Sequence, residues 1–156
     1  MNRPSIYAAF GDKRTLYLKT VAEYSRASRA ALEQELEMPR SLRDGLLALF
    51  RGARDYYLAG ESAPRGCFLI GTAVTEATRD EEVRAAVDDT FEAFTAAFGR
   101  RFERAAAEGE LAPLPPTALA QLATATLNTI ALRIRTGAPR ETVDALIGSA
   151  VTAICA

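Results

Sequence analysis

No histidine occurs anywhere in the 156 residues. That removes Ser-His-Asp and Cys-His nucleophile pairs and every metal site with an imidazole ligand. Cysteine is nearly as scarce. Cys67 and Cys155 lie far apart in the chain, a pattern that fits a reducing compartment better than a disulfide framework. Long apolar runs are missing too. None approaches the roughly 20 residues that span a bilayer, and the N-terminal residues lack the pattern of a signal peptide. The expectation is a cytoplasmic protein with no membrane partner. An excess of charge is absent as well: the net charge is −1, so any contact with nucleic acid needs a local basic patch. No stretch has P-loop or GxGxxG spacing. Glu76, Asp88, Asp89 and Glu92 form no acid/base or metal constellation. Catalysis, a metal and a cofactor are therefore not expected.

What is present is the composition of a globular protein, with 49% apolar and 25% charged residues. The length suits one sizeable core and is short for two ordinary domains. Strand-like alternation never lasts more than a few residues, while turn signals divide the chain into helical segments. The expected fold class is all-α.

A long helix is predicted from Asp12, its N-cap, to about Leu36. Its inner face carries Tyr17, Val21, Tyr24, Ser28, Ala31 and Leu32 at 3.6-residue spacing. Met38-Pro39 breaks the pattern, and Ser41 with Asp44 has capping-box spacing, so a second helix is predicted to start near Pro39 or Ser41. That helix carries Leu42, Leu46, Leu49, Phe50, Ala53 and Tyr57. Residues 59–66 read as a loop. Residues 67–74 are apolar almost all round. A short run of this kind suits a core strand or a buried helix; with helices on both sides and no partner strand, it reads as the most buried helix of the chain. Thr78, with Glu81 at capping-box spacing, marks the next start, and that helix runs to about Glu108 before Gly109. Val83, Val87, Phe91, Phe94, Phe98 and Phe102 line one of its faces.

Leu114-Pro115-Pro116 is the next break. A helix follows over about 117–136, closed by Gly137, and the last helix begins at Pro139. The last helix has an apolar stripe at Val143, Leu146, Ile147, Ala150, Val151 and Ile154, flanked by small residues such as Ala145, Gly148 and Ser149. Few charges interrupt 119–131. A terminal helix pair of this kind either belongs wholly to the core or meets a partner.

The first residues carry the most specific motif. Pro4-Ser5-Ile6-Tyr7-Ala8-Ala9-Phe10-Gly11-Asp12-Lys13, followed by Leu16-Tyr17-Leu18, reads as a short helix, a tight turn at Gly11-Asp12 and the start of the long helix. Arg3, Lys13, Arg14 and Lys19 make the stretch basic. This pattern resembles the end of the helix-turn-helix in TetR-family transcriptional regulators, where it forms the recognition helix and the start of the connecting helix. The match covers about the first two dozen residues. Beyond them only the helical layout agrees.

The resemblance implies a TetR-like helical ligand-binding and dimerisation domain over residues 37–156. Residues 1–36 would be a remnant of the helix-turn-helix with its connecting helix. The family has two helices before this stretch, whereas this sequence begins at Met1. The expectation is thus an incomplete reading head and no specific DNA binding by this chain alone. In a complete head, Arg3 and Ser5 suit base edges and Pro4 suits a thymine methyl, while Tyr7 and Lys13 match positions that hold the DNA backbone. Ala8 and Ala9 replace bulkier family residues.

The family also implies a homodimer through the last two helices, a palindromic operator, and a small hydrophobic ligand that controls repression. Candidate pocket residues are Phe50, Tyr57, Phe91, Phe94, Phe98, Thr124 and Asn128, the last two lying one turn apart on an apolar segment. Equally, the aromatics are packing and the polar groups bond back to their own helix. Cys67, after Gly66, suits either a redox-sensitive thiol at a helix N-terminus or a small buried hydrophobe. The alternative function is a helical homodimer that binds a small molecule or a protein but not DNA.

Overall fold

The computed structural model describes residues 11–60 and 63–156. Helix α1 spans Lys13–Leu36. Gly11 turns the chain into it with φ of 82°, a left-handed conformation that only glycine adopts cheaply. Asp12 then caps the helix by accepting a hydrogen bond from the Thr15 amide at 2.7 Å. Helix α2 spans Leu42–Leu58. Its cap is reciprocal: the Ser41 hydroxyl accepts from the Asp44 amide at 3.1 Å and donates to the Asp44 carboxylate at 2.9 Å. Because only 37–41 separate the two helices, α2 runs back along α1.

A π-helical turn, Leu69–Ala73, leads directly into the short helix α3, Val74–Glu76. The run 67–74 is thus helical, with wider winding than expected. It is also less buried than its composition suggested. Leu69 and Ala73 are fully enclosed, while Thr72 and Val74 are exposed. The wider winding spreads side chains around the turn, so one end of an all-apolar run faces out.

Helix α4 spans Glu81–Ala107, and its cap is Asp80 rather than Thr78. The Asp80 carboxylate accepts from the amides of Glu82 and Val83. The Thr78 hydroxyl is occupied one turn earlier, donating to the Thr75 carbonyl at 2.8 Å. Helices α5, Pro116–Arg135, and α6, Arg140–Ile154, complete the order. Among the described residues there is no strand, only an isolated antiparallel bridge between Leu111 and Cys155.

Helix α5 is the hub, packed against α2, α4 and α6, while α1 lies across α2 and α4. Phe50, Phe98 and Phe102 are fully buried at the centre, with ring centroids 6.2 Å and 5.8 Å apart along the series. Val21, Leu32 and Leu36 of α1 join the same core. Polar groups fasten the layers where they are buried. The Thr90 hydroxyl donates to Ser25 at 2.9 Å between α4 and α1. The buried Arg101 donates to the Arg40 carbonyl and to Glu110, and Glu110 also accepts from the Leu42 amide at 2.8 Å.

Candidate functional site

The antiparallel pair α1 and α2 does not close completely. Between them lies an open slot of about 460 Å³, floored by Phe94 of α4 and Leu127 of α5. Tyr24, Ala27, Ser28, Ala31, Leu32 and Glu35 form the α1 wall. These are successive turns of one face. Ala48, Leu49, Gly52, Ala53, Tyr56 and Tyr57 form the α2 wall. The space has a simple origin. Ala27 and Ala31 on one helix face Gly52 and Ala53 on the other, and four small side chains cannot fill the width that the tyrosines and leucines set at either end.

The slot has two unlike ends. Tyr24, Tyr56 and Tyr57 gather at one end, because α2 finishes beside the middle of α1. Arg65 lies over the Tyr56 ring, 5.1 Å from its centroid. Behind the rings is Cys67, whose sulfur accepts a hydrogen bond from the Tyr24 hydroxyl at 3.4 Å. Burial, and then the neighbouring thiol, push the Tyr24 and Tyr57 phenols well above the ordinary tyrosine range, so both stay neutral at physiological pH. At the other end is Glu35, the only ionisable carboxyl or ammonium-type group among the lining residues. Arg40 pairs with it from outside the slot.

Of the residues named from the sequence as pocket candidates, the slot brings Tyr57 and Phe94 together. Phe50 and Phe98 have no exposed surface and belong to the core beneath it. Phe91 lies instead beside a second, more open groove between α4 and α5, with Thr95, Gly99 and Gln121. Thr124 is buried; its hydroxyl donates to the Ala120 carbonyl at 3.1 Å and shares a 2.9 Å contact with Thr95. That is the back-bonded arrangement. Asn128 is half-buried on α5 and outside the slot lining. Sequence reasoning missed the α1 wall and the small α2 residues. The available signal was the matching of alanines and glycine on consecutive antiparallel helices, which hydrophobic periodicity does not weigh.

Cys67 and Cys155 are both unpaired and buried. Cys67 sits just before the π-helical turn, shielded by the tyrosines. On the outer faces of α5 and α6, Ala118, Leu122, Ala125 and Leu132 are exposed, as are Ala145, Ser149 and Thr152. Leu122 and Leu132 keep 40% and 51% of their surface open. Of the residues named for DNA contact, Lys13 is exposed at the first position of α1. Arg3, Pro4, Ser5 and Tyr7 lie outside the described residues. Among the described residues, no cluster of carboxylates and cysteines could hold a metal, and no helix is long and apolar enough to cross a membrane.

Among the described residues the fold is an all-α arrangement of six helices with a lateral slot beside the long first helix. Residues 43–148 match the family described as the Tetracyclin repressor-like, C-terminal domain, and the chain belongs to that family. It is 28% identical over 109 residues to the uncharacterized HTH-type transcriptional regulator YezE of Bacillus subtilis (strain 168). That alignment covers 70% of this chain and 56% of the relative, so the chain spans little more than half the length of that curated protein.

Among solved structures, it is similar to a cysteine mutant of the TetR family transcriptional regulator CifR, complexed with 26bp double-strand operator DNA. Identity there is 28% and the TM-score 0.82, over 98% of this chain and 80% of the other. A TetR-family regulator from Agrobacterium tumefaciens shares the fold with a TM-score of 0.84 at 23% identity, over 100% and 82% of the two chains. The reduced form of E. coli NemR shares it with a TM-score of 0.83 at 17% identity, over 99% and 80%.

Proposed function

We propose that this chain is the sensing and dimerising part of a transcriptional repressor, and that a small, largely apolar molecule in the α1–α2 slot controls its affinity for DNA. The observation that carries this reading is the position of the slot. Its one wall is α1, the helix that continues from the basic N-terminal stretch with Lys13, Arg14 and Lys19. An occupant that fits between α1 and α2 favours the arrangement in which they are further apart, and so redistributes the orientations of α1. In a dimer, that changes the separation of the two DNA-reading ends. Half-sites about one helical turn of DNA apart, roughly 34 Å, are then met in one state and missed in the other.

The outer faces of α5 and α6 supply the dimer contact, since small side chains let helices approach closely. Within this reading, residues 1–36 carry DNA contact and its connection to the core, through Arg3, Pro4, Ser5, Tyr7 and Lys13. Residues 37–156 carry dimerisation and, together with the α1 wall from Tyr24 to Glu35, sensing in the cytoplasm. The relative in complex with operator DNA and the helix-turn-helix regulator in Bacillus subtilis support the DNA partner.

Because this chain alone is not expected to read DNA specifically, the test is recovery of DNA cross-linked to the protein tagged at the 3′ end of its chromosomal gene in its own host. Expected is enrichment of an inverted repeat with half-sites one turn apart. No enriched sequence, from a protein that is dimeric and binds ligands, would favour the helical binding module without DNA contact.

A further inference from the structure

We infer that the slot selects elongated aromatic molecules that carry an amine cation at one end, and rejects those that carry an anion. The inference rests on the reading of the slot as the ligand site. Its first basis is shape. The lining runs from Tyr24 to Glu35 on α1, about 16 Å at the helical rise of 1.5 Å per residue, and is narrowed by helices on both sides. A long, flat molecule fits that space and a compact one does not.

The second basis is the order of chemistry along it. Tyr24, Tyr56, Tyr57 and Phe94 offer ring faces and edges at one end and on the floor. Aromatic pairs gain beyond simple burial. The Tyr24 and Tyr57 phenols are neutral at physiological pH, and the one charge beside that end, Arg65, is already stacked on the Tyr56 ring. At the far end stands the Glu35 carboxylate, about one-third exposed. No lysine or arginine lines the slot. An anionic ligand would bring its charge against the Glu35 carboxylate, while the two nearby cations, Arg40 on Glu35 and Arg65 over Tyr56, stand outside the lining and are already engaged, so its desolvation is poorly offset. An ammonium at the Glu35 end accepts the same desolvation against an opposite charge. Arg40 already holds Glu35 from outside, but a carboxylate has room for more than one donor.

The third basis is orientation. Rings at the tyrosine end and a cation at the glutamate end place a flexible apolar linker beside Ala27, Ala31, Gly52 and Ala53, the small-residue middle. A four-carbon linker suits that stretch.

Three matched fluorescent probes test this: 1-pyrenebutylamine, 1-pyrenebutanol and 1-pyrenebutyrate, titrated by fluorescence anisotropy against the full chain. Expected is binding in the order amine, alcohol, acid, with the amine about tenfold tighter than the acid. Glu35→Gln should bring the affinity of the amine down to that of the alcohol. Arg40→Ala should enlarge the advantage of the amine. Glu33→Gln, on α1 but outside the slot, controls for net charge and should change nothing. Ala31→Trp, an exposed position that blocks the slot, should weaken all three. Equal affinities, tightest binding of the acid, or an amine preference that survives Glu35→Gln would overturn the charge selection while leaving the slot as a ligand site. Binding of none, or binding indifferent to Ala31→Trp, would overturn the ligand site and the inference with it.

Discussion

Arg14, in the first turn of α1, donates two hydrogen bonds to the carboxylate of Asp80, at 2.8 Å and 3.1 Å, while that same carboxylate caps the N-terminus of α4. Glu82 adds a second ion pair to Arg14 at 3.2 Å. The leading end of α1 is therefore tied to a residue that the α4 amides already immobilise. An exposed pair contributes little to global stability. Its value is positional: it fixes where the helix that walls the slot begins.

Arg14→Ala should accelerate amide exchange over residues 13–20 and leave the urea midpoint nearly unchanged. Arg14 first, and the Glu82 and Val83 amides after it, hold the Asp80 carboxyl below the ordinary carboxylate range. A depressed folded value means the link is intact at neutral pH and above the unfolded carboxyl's titration near about 3.9. It is lost as pH falls through the folded value. In an NMR titration, Arg14→Ala should move Asp80 upward but not fully to the ordinary value, because the two amides still donate. Unchanged exchange at the start of α1 would show that the pair does not hold the helix.

Dimerisation should depend on the outer face of α5. Ala118, Leu122, Ala125, Thr129 and Leu132 recur at alternating four- and three-residue steps, the spacing of a helix–helix seam. Leu122→Glu or Leu132→Glu should weaken self-association by about a hundredfold, since a buried unpaired carboxylate costs at least about 3 kcal/mol. Circular dichroism should not change, because both side chains point away from the subunit core. Light scattering that shows a monomeric wild type at micromolar concentration ends the dimer reading.

The same helices show what was legible in the sequence. The stripe Val143, Ile147, Val151 and Ile154 is plain at helical spacing, and its side chains are almost wholly enclosed by their own subunit. Periodicity finds the face that is buried; it does not say by which chain. The outward face is the small-residue flank, Ala145 with Ser149. Helix ends were legible where one side chain had one available amide, as at Asp12 and Ser41. They were misread at Thr78, where the hydroxyl had a competing carbonyl one turn back. The slot was half legible. Tyr57 and Phe94 stood out by size, but the space itself comes from residues that are absent in bulk, and it needs two facing helices to be seen. Phe50 and Phe98, equally large, fill the core because they face α4 and α2 respectively rather than the gap.

A buried cation fastens α2 to α6. Arg54 is almost fully enclosed, and its guanidinium pairs with Asp55 and with Asp144 on α6. Asp55 in turn accepts from Arg140 at 2.8 Å. Asp144→Asn should cost about 1–2 kcal/mol in urea unfolding, less than removal of a fully buried partner, because Asp55 remains and Asp144 is itself partly solvated. Arg54→Met should be milder than Arg54→Ala, since it keeps the packed stem. By contrast, removing the exposed Arg26–Glu23 pair should have no measurable effect. A cost for Asp144→Asn no larger than for that control would mean the α2–α6 link is dispensable.

The thiol behind the tyrosines reports on the slot without being part of it. Cys67 and Cys155 are similarly enclosed, with 8% and 7% of their surface exposed, so both should react with an aromatic disulfide reagent about a hundredfold more slowly than in the unfolded chain, through local opening. Their surroundings differ. Cys155 lies at the end of α6, bridged to Leu111. Cys67 accepts a hydrogen bond from Tyr24, and Tyr24 and Tyr57 are also walls of the slot. An occupant that packs on those two rings holds them closed over the sulfur. With 1-pyrenebutanol bound, labelling of Cys67 should slow several-fold while Cys155 changes little. Tyr24→Phe keeps the ring and removes one hydrogen bond worth about 0.5–1 kcal/mol, so Cys67 should label about two- to fivefold faster. The comparison with Cys155 gives the test its force. Global stabilisation by a bound ligand would protect both thiols alike wherever full unfolding is required. Equal slowing at the two sites would therefore place the ligand's effect in the whole fold, and equal rates with and without the probe would place its binding away from the tyrosines.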